Sequence, residues 1–235
     1  MTTKEKVLFT WSGGKDSALA LYEMQQGREY EIVALLTTVT AGYDRISMHG
    51  VRRVLLQRQA ESLGLPLEEV LISQRASNEE YESQMRQVLE KYVAADVRCV
   101  AFGDIYLEDL RVYREQNLAR IGMRAVFPLW KRDTQELMCT FIDLGFKAVT
   151  VCVDTQALDE CFAGRELDDQ FLRELPTTVD PCGENGEYHS FVYDGPIFRR
   201  RVNWVKGETV LRENRFCYCD LVLTGAPTPA ASDNP

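Results

Sequence analysis

Six consecutive residues of this 235-residue chain have the types and order to hold phosphates: Ser12-Gly13-Gly14-Lys15-Asp16-Ser17. Two adjacent glycines let backbone N–H groups turn toward one anion, and a helix starting there adds its partial positive charge. Lys15 supplies a point charge, and Ser12 and Ser17 supply hydroxyl donors. Asp16 would repel a bare phosphate; beside phosphates it becomes sensible as a ligand to Mg²⁺ set between them. The stretch is not a Walker A loop, because Phe9 stands where its first glycine belongs and Asp16 follows the lysine. Nor is it a Gly-x-Gly-x-x-Gly turn.

A second group lies far along the chain, in Gly183-Glu184-Asn185-Gly186-Glu187-Tyr188-His189-Ser190-Phe191-Val192, followed by Asp194-Gly195-Pro196-Ile197-Phe198. Glu184 and Glu187, three apart in a glycine-rich turn and followed by His189, suit an ammonium ion, Mg²⁺ or a cationic substrate. The same pattern also describes a polar turn with exposed acids. Gly103 and Asp104 end a strand-like run, where an α/β sheet presents residues to its cleft. His49 precedes a helix and reads equally as a nucleotide contact or a surface cap. Cys182 adjoins the acidic turn, but nothing in the sequence lowers its pKa.

The elements that must position these groups are legible as alternation. Val7-Leu8-Phe9, Ile32 to Leu36, Val70-Leu71-Ile72, Cys99 to Phe102, Ala125-Val126-Phe127 and Ala148 to Val153 are short and apolar throughout, as parallel strands covered on both faces are. Between them, Tyr81, Met85, Val88, Leu89 and Tyr92 make one helical stripe, and Leu137, Met138, Phe141 and Ile142 another behind an Asp133/Glu136 capping box. The pattern predicts an α/β fold with a doubly wound, mostly parallel sheet. Beyond about residue 155 it predicts a smaller α+β region: a helix over 166–175 ended by Pro176, a strand through Phe191-Val192-Tyr193, and a hairpin over 202–223 turning at Lys206-Gly207-Glu208. The division expected is 1–155 for the nucleotide domain, 156–224 for the C-terminal substrate region, and 225–235 as a disordered tail.

Composition narrows the function. With 27 basic and 36 acidic residues the net charge is −9, the wrong sign for a chain that grips nucleic acid mainly by its phosphates. Arg199-Arg200-Arg201 is the one basic cluster, and beside a strand it reads first as a solvated edge. No apolar run is long enough to span a bilayer, and no signal peptide is expected. Seven cysteines, an odd number without Cys-x-x-Cys, point to a reducing, cytoplasmic compartment; Cys217 and Cys219 share a strand face and read as core before metal.

Ser-Gly-Gly-Lys-Asp-Ser resembles the PP-loop of the ATP pyrophosphatases, which split ATP into AMP and pyrophosphate. The resemblance implies an adenine nucleotide alpha hydrolase-like fold, ATP with Mg²⁺ as cofactors, a grip on pyrophosphate by residues 12–17, and adenine near Thr37. The acidic element and the trailing Asp194-Gly195-Pro196-Ile197-Phe198 resemble the diphthine–ammonia ligase family. Met48-His49, Leu129-Trp130, Leu144-Gly145-Phe146 and Gly164-Arg165-Glu166-Leu167 match in order. That resemblance implies adenylation of a carboxylate followed by displacement with ammonia. Lys15 and Asp16 would act on the phosphates, Glu184 and Glu187 would hold ammonia or a trimethylammonium group, and His189 would assist proton removal. The acceptor would be a modified elongation factor or a small metabolite, and an oligomer is possible. His189-Ser190, where Glu-Thr is usual, and the extra acids after Gly103 depart from the family pattern and bear on the acceptor. The rival readings are a transfer RNA thiolase, which this acidic chain without a cysteine pair does not suit, and a non-catalytic ATP or AMP sensor, which would not need the Lys15-Asp16-Ser17 set.

Overall fold

A computed structural model describes residues 4–42, 44–46 and 50–224. Expectations about His49 and about the tail from residue 225 lie outside the described residues. The first half is built as the alternation predicts. β1 (Glu5–Thr10), β2 (Tyr30–Thr40), β4 (Leu67–Ile72), β5 (Cys99–Ala101) and β6 (Arg124–Val126) form a parallel sheet in the order β4-β2-β1-β5-β6. The short β3 (Arg45–Ile46) adds an antiparallel pair at the end of β2. Strand order therefore reverses between β1 and β5, and the crevice outside their carboxyl ends is where such sheets bind ligands.

Strand alternation sorts the core into two layers. Val7 and Phe9 face one side with α1 (Lys15–Gln26) and α2 (Arg53–Leu63), where Leu21, Leu55 and Leu56 are fully buried. Leu8, Leu36 and Val100 face the other, under α3 (Asn78–Ala94) and α4 (Glu108–Ala119), with Val88, Leu89 and Leu118. The stripe read on α3 is thus a core face. The capping box also forms: Asp133 accepts from the Glu136 N–H and opens α5 (Thr134–Asp143).

The second sheet is antiparallel, in the order β8-β7-β10-β9, from β7 (Lys147–Asp154), β8 (Tyr188–Asp194), β9 (Trp204–Arg212) and β10 (Phe216–Leu223). Here three expectations are corrected. Ala148 to Val153 is not a further parallel strand; it pairs antiparallel with β8 and β10. A continuous apolar run reports two covered faces and is blind to the direction of its partner. The expected helix over 166–175 is shorter, α6 (Asp169–Glu174), because the Asp168 side chain caps it and Glu166 bridges to Val149 instead. The hairpin turns at Glu213 and Asn214, both with positive φ, and not at Lys206-Gly207-Glu208, which runs inside β9. Gly207 is there for closeness: a Cβ would meet Asp220 of β10 at 3.2–3.3 Å.

Candidate active site

The loop that follows β1 is shaped from outside itself. Gly13 has φ +80°, and its carbonyl accepts from Gln59 Nε2 (2.9 Å) and from the Val192 N–H of β8 (2.9 Å). Gln59, fully buried on α2, also accepts from Trp11 Nε1 (2.9 Å) and donates to the Val192 carbonyl, so one side chain ties loop, helix and second sheet together. A Cβ at Gly13 would stand 2.7 Å from Gln59 Oε1. Ser190 Oγ accepts from the Lys15 N–H (3.1 Å), and Ser12 Oγ accepts from Gly14 N while lying 3.1 Å from Ser17 Oγ. Gly14, the residue before α1, offers no capping side chain, so the start of the helix keeps the donor character that suits an anion.

Gly103 completes the crevice from the β5 side. A Cβ there would lie 3.0 Å from Ser17 N and 3.1 Å from the Asp16 carbonyl carbon, against backbone that cannot yield. The glycine is therefore a close-approach residue between β5 and the start of α1.

The charged groups are strongly coupled. Lys15 Nζ lies 2.9 Å from Asp16 Oδ2 and 5.0 Å from the centre of the Tyr188 ring. Burial, the largest single influence, pulls the Lys15 ammonium down, but Asp16, Tyr188 and Cys182 together more than offset it and hold it above the ordinary lysine range. Burial pushes the Asp16 carboxyl up even beside that lysine, yet 29% of its side-chain surface stays open to a ligand. Burial also pushes Glu184 up to about 7, against bonds accepted from Ile105 N (2.8 Å) and Tyr106 N (3.4 Å). His189 is pulled down to about 4, first by burial and then by Lys15, so its imidazole is neutral at pH 7. The Cys182 thiol is raised well above its usual value by burial, the opposite of an activated nucleophile.

The acidic turn is built by its own carboxylates. Asp180 Oδ2 accepts from Cys182 N and Glu184 N, both at 3.0 Å. Glu187 accepts from Asp180 N (3.1 Å), Asn185 N (3.0 Å) and Asn185 Nδ2 (2.9 Å), which engages both its oxygens within the turn. Glu184 alone of the two expected acids reaches the cavity wall.

These groups surround one cavity of about 770 Å³. Ser12, Gly14, Lys15, Asp16, Ser17, Thr37, Gly103, Asp104, Glu184 and His189 line it; Gly13 and Glu187 lie behind its wall. Asp104 is held by Arg114 of α4, at 2.8 and 3.1 Å. Sequence reasoning passed over Arg114 and Gln59, and met Ser190 only as a departure from the family pattern. Only Gln59 had a signal, as a lone amide among Leu55, Leu56, Ala60 and Leu63 on one helix face. Among the described residues no three His, Cys, Asp or Glu side chains gather as a metal cage. The donor set therefore fits only an ion held by Asp16 together with ligand phosphates and water, the usual habit of Mg²⁺.

Comparison with known proteins bears on both halves. Residues 5–125 match the family model for the diphthamide synthase N-terminal domain, and residues 133–221 match that for its C-terminal domain. Curated relatives called diphthine–ammonia ligase include one from Schizosaccharomyces pombe, 27% identical over 91% of this chain and 38% of its own length. The human relative is 27% identical over 85% of this chain and 83% of its own, and that of Danio rerio is 29% identical over 86% and 88%. With both models matched in order across nearly the whole described chain, this protein belongs to the diphthamide synthase family.

Proposed function

We propose that this chain is an AMP-forming carbon–nitrogen ligase that adenylates a carboxylate with ATP and then transfers ammonia to it. The observation that carries the reading is the pair of buried Lys15 and partly open Asp16 at the start of α1, lining one cavity with Glu184 and His189. A carboxylate oxygen of the acceptor attacks the α-phosphorus, and the bond to the bridging oxygen breaks as pyrophosphate leaves. Lys15 and the N–H groups at the start of α1 carry the developing negative charge of that leaving group. Bound through Asp16, Mg²⁺ would supply further charge neutralisation on the phosphates. Ammonia then attacks the acyl carbon, AMP departs, and the proton of the new ammonium passes to neutral His189 or ionised Glu184. Glu184, a carboxylate in the cavity wall, holds the incoming ammonia by accepting a hydrogen bond from it; Glu187 positions Glu184 by fixing the turn.

Thr37, Gly103 and Asp104 line the nucleotide's side of the cavity, with adenine near the end of β2. The acceptor is a modified elongation factor or a small carboxylic acid. All seven cysteines are free thiols, which supports a reducing compartment such as the cytoplasm. No helix among the described residues is long and apolar enough to cross a membrane. A sulfur-transfer reading is disfavoured by the raised pKa of Cys182. The test is turnover of ATP labelled at the α-phosphate with Mg²⁺, ammonium and fractionated extract. Label in AMP that depends on one fraction and vanishes in Asp16→Asn supports the reading; label in ADP, or AMP indifferent to that variant, refutes it.

A further inference from the structure

The cavity continues past the nucleotide loop into the gap between α3 and α4. Tyr81, Met85 and Leu89 line it from α3, and Leu110, Arg114 and Leu118 line it from α4. Each set steps by four residues, so each forms a single stripe about 12 Å long, and the two stripes wall the same arm. Val100 of β5 and Leu36 of β2 also line it. Glu82 of α3 bonds to Tyr113 Oη (3.0 Å) and pairs with Arg120 (3.6 Å), tying the two helices together. The arm is a mainly apolar slot continuous with the place where an α-phosphate is attacked.

Two cations line it, Arg86, exposed on α3, and Arg114, half-buried on α4. The Arg114 guanidinium lies 4.4 Å from the Phe102 ring centre and is paired with Asp104, beside Gly103. Its Nε and Asp104 Oδ2 are both buried and 2.8 Å apart, yet without the alignment of a hydrogen bond. Asp104 occupies the Nε and Nη2 edge, so an incoming carboxylate would meet the Nη1 donors, which the five-donor guanidinium allows. Apolar walls with a guanidinium among them suit neither ammonia nor a polyphosphate; they suit an acid with an extended hydrocarbon body.

We propose that the α3–α4 arm is the acceptor subsite, that the acceptor is an elongated, mainly apolar monocarboxylic acid, and that Arg114 steers its carboxylate toward the nucleotide. The placement rests on the adenylation reading for the position of ATP, while occupancy of the arm does not.

The experiment titrates the full chain by calorimetry with linear monocarboxylates of four to twelve carbons, with and without α,β-methylene-ATP. Affinity is expected to rise about fourfold per added methylene until the arm is filled, and then to stop. Leu118→Trp, which fills the arm, is expected to weaken octanoate about tenfold or more while α,β-methylene-ATP binds within about twofold of the parent. Met85→Ala, which lengthens the free space, is expected to move the preferred acid to a longer chain, a shift that general damage to folding does not produce. The proposal is overturned if no acid of the series binds, if affinity is indifferent to chain length, or if Leu118→Trp leaves octanoate unchanged. It is overturned as well if that variant weakens the nucleotide as much as the acid, since the arm would then house the base. Acids that bind with this chain-length pattern to a chain that binds no nucleotide would uphold the arm and sink the adenylation reading instead.

Discussion

The loop at residues 12–17 and the turn at residues 180–187 face one cavity, yet they are held in shape by opposite means. The first is braced from outside, by Gln59 of α2, Ser190 and Val192 of β8, and the close approach of Gly103. Its own charged residues, Lys15 and Asp16, are left to a ligand. The second braces itself: Asp180 and Glu187 accept the N–H groups of their own turn, and only Glu184 is left to the cavity. A count of acids in a motif therefore overstates the acids available for chemistry. What a carboxylate already accepts decides its role.

The contrast can be broken by substitution, beginning where the effect is largest. Asp16→Asn should lower AMP formation on the order of 10³-fold, because the carboxylate that would hold Mg²⁺ beside the phosphates is lost while the brace is untouched. Some fall in melting temperature should accompany it in a thermal scan, because the buried Lys15 ammonium loses its counter-charge. Gln59→Leu should do the reverse in kind. It strands Trp11 Nε1 and takes a donor from the Val192 carbonyl and from the Gly13 carbonyl, which keeps the Val192 N–H, at about 3 kcal/mol in total, or a fall of roughly 6–12 °C in Tm. A loss of activity without that fall would show that Gln59 is not a brace.

Gly103→Val should displace the start of α1 and reduce turnover on the order of 10²-fold, with KM for ATP rising as well. Glu187→Gln sharpens the comparison most directly. The amide cannot accept at both positions, so the turn loosens: amide formation should slow about tenfold while ATP affinity changes less than about twofold. A lower Tm should accompany the slowing. If Glu187 instead touched substrate, the rate would fall with the melting temperature unchanged.

The smallest effect lies in the pH dependence of stability. His189 falls from 6.5 to about 4 on folding, so the unfolded chain binds more protons between those values and stability rises with pH there. Glu184 rises from 4.5 to about 7, so the folded chain binds more protons in that window and stability falls with pH. The two slopes oppose each other and nearly cancel between pH 4.5 and 6.5. Replacing His189 by Asn should expose a stability that declines as pH rises from 4.5 to 7; replacing Glu184 by Gln should expose one that improves from 4 to 6.5. Denaturant titrations across that range would read either slope.

The sequence carried the fold wherever information was local. The strand–glycine–helix junction at residues 12–17, the α3 stripe and the Asp133 cap are all written in neighbouring residues, and all formed. The partner of β7 was not legible, because Ala148 to Val153 would read alike in a parallel or an antiparallel sheet. The hairpin turn was misplaced because Gly207 marks a close backbone approach, whereas Glu213 and Asn214 adopt positive φ without a glycine to announce it. The loop residues of the site were readable, but the braces were not: Ser190 acts on Lys15 across 175 residues, a distance at which spacing says nothing.

That long-range brace has a consequence for how the protein is made. The loop leaves the ribosome well before Ser190 and Val192, which follow it by more than 170 residues. At a synthesis rate of roughly 5–20 residues per second the nascent loop waits about 10–35 s for the strand that fixes it. During that interval residues 5–125 carry the phosphate-binding sequence without its final form. Completion of the braced loop is thus a late event in the folding of the chain, and a ribosome stalled before residue 190 would display the motif without its brace.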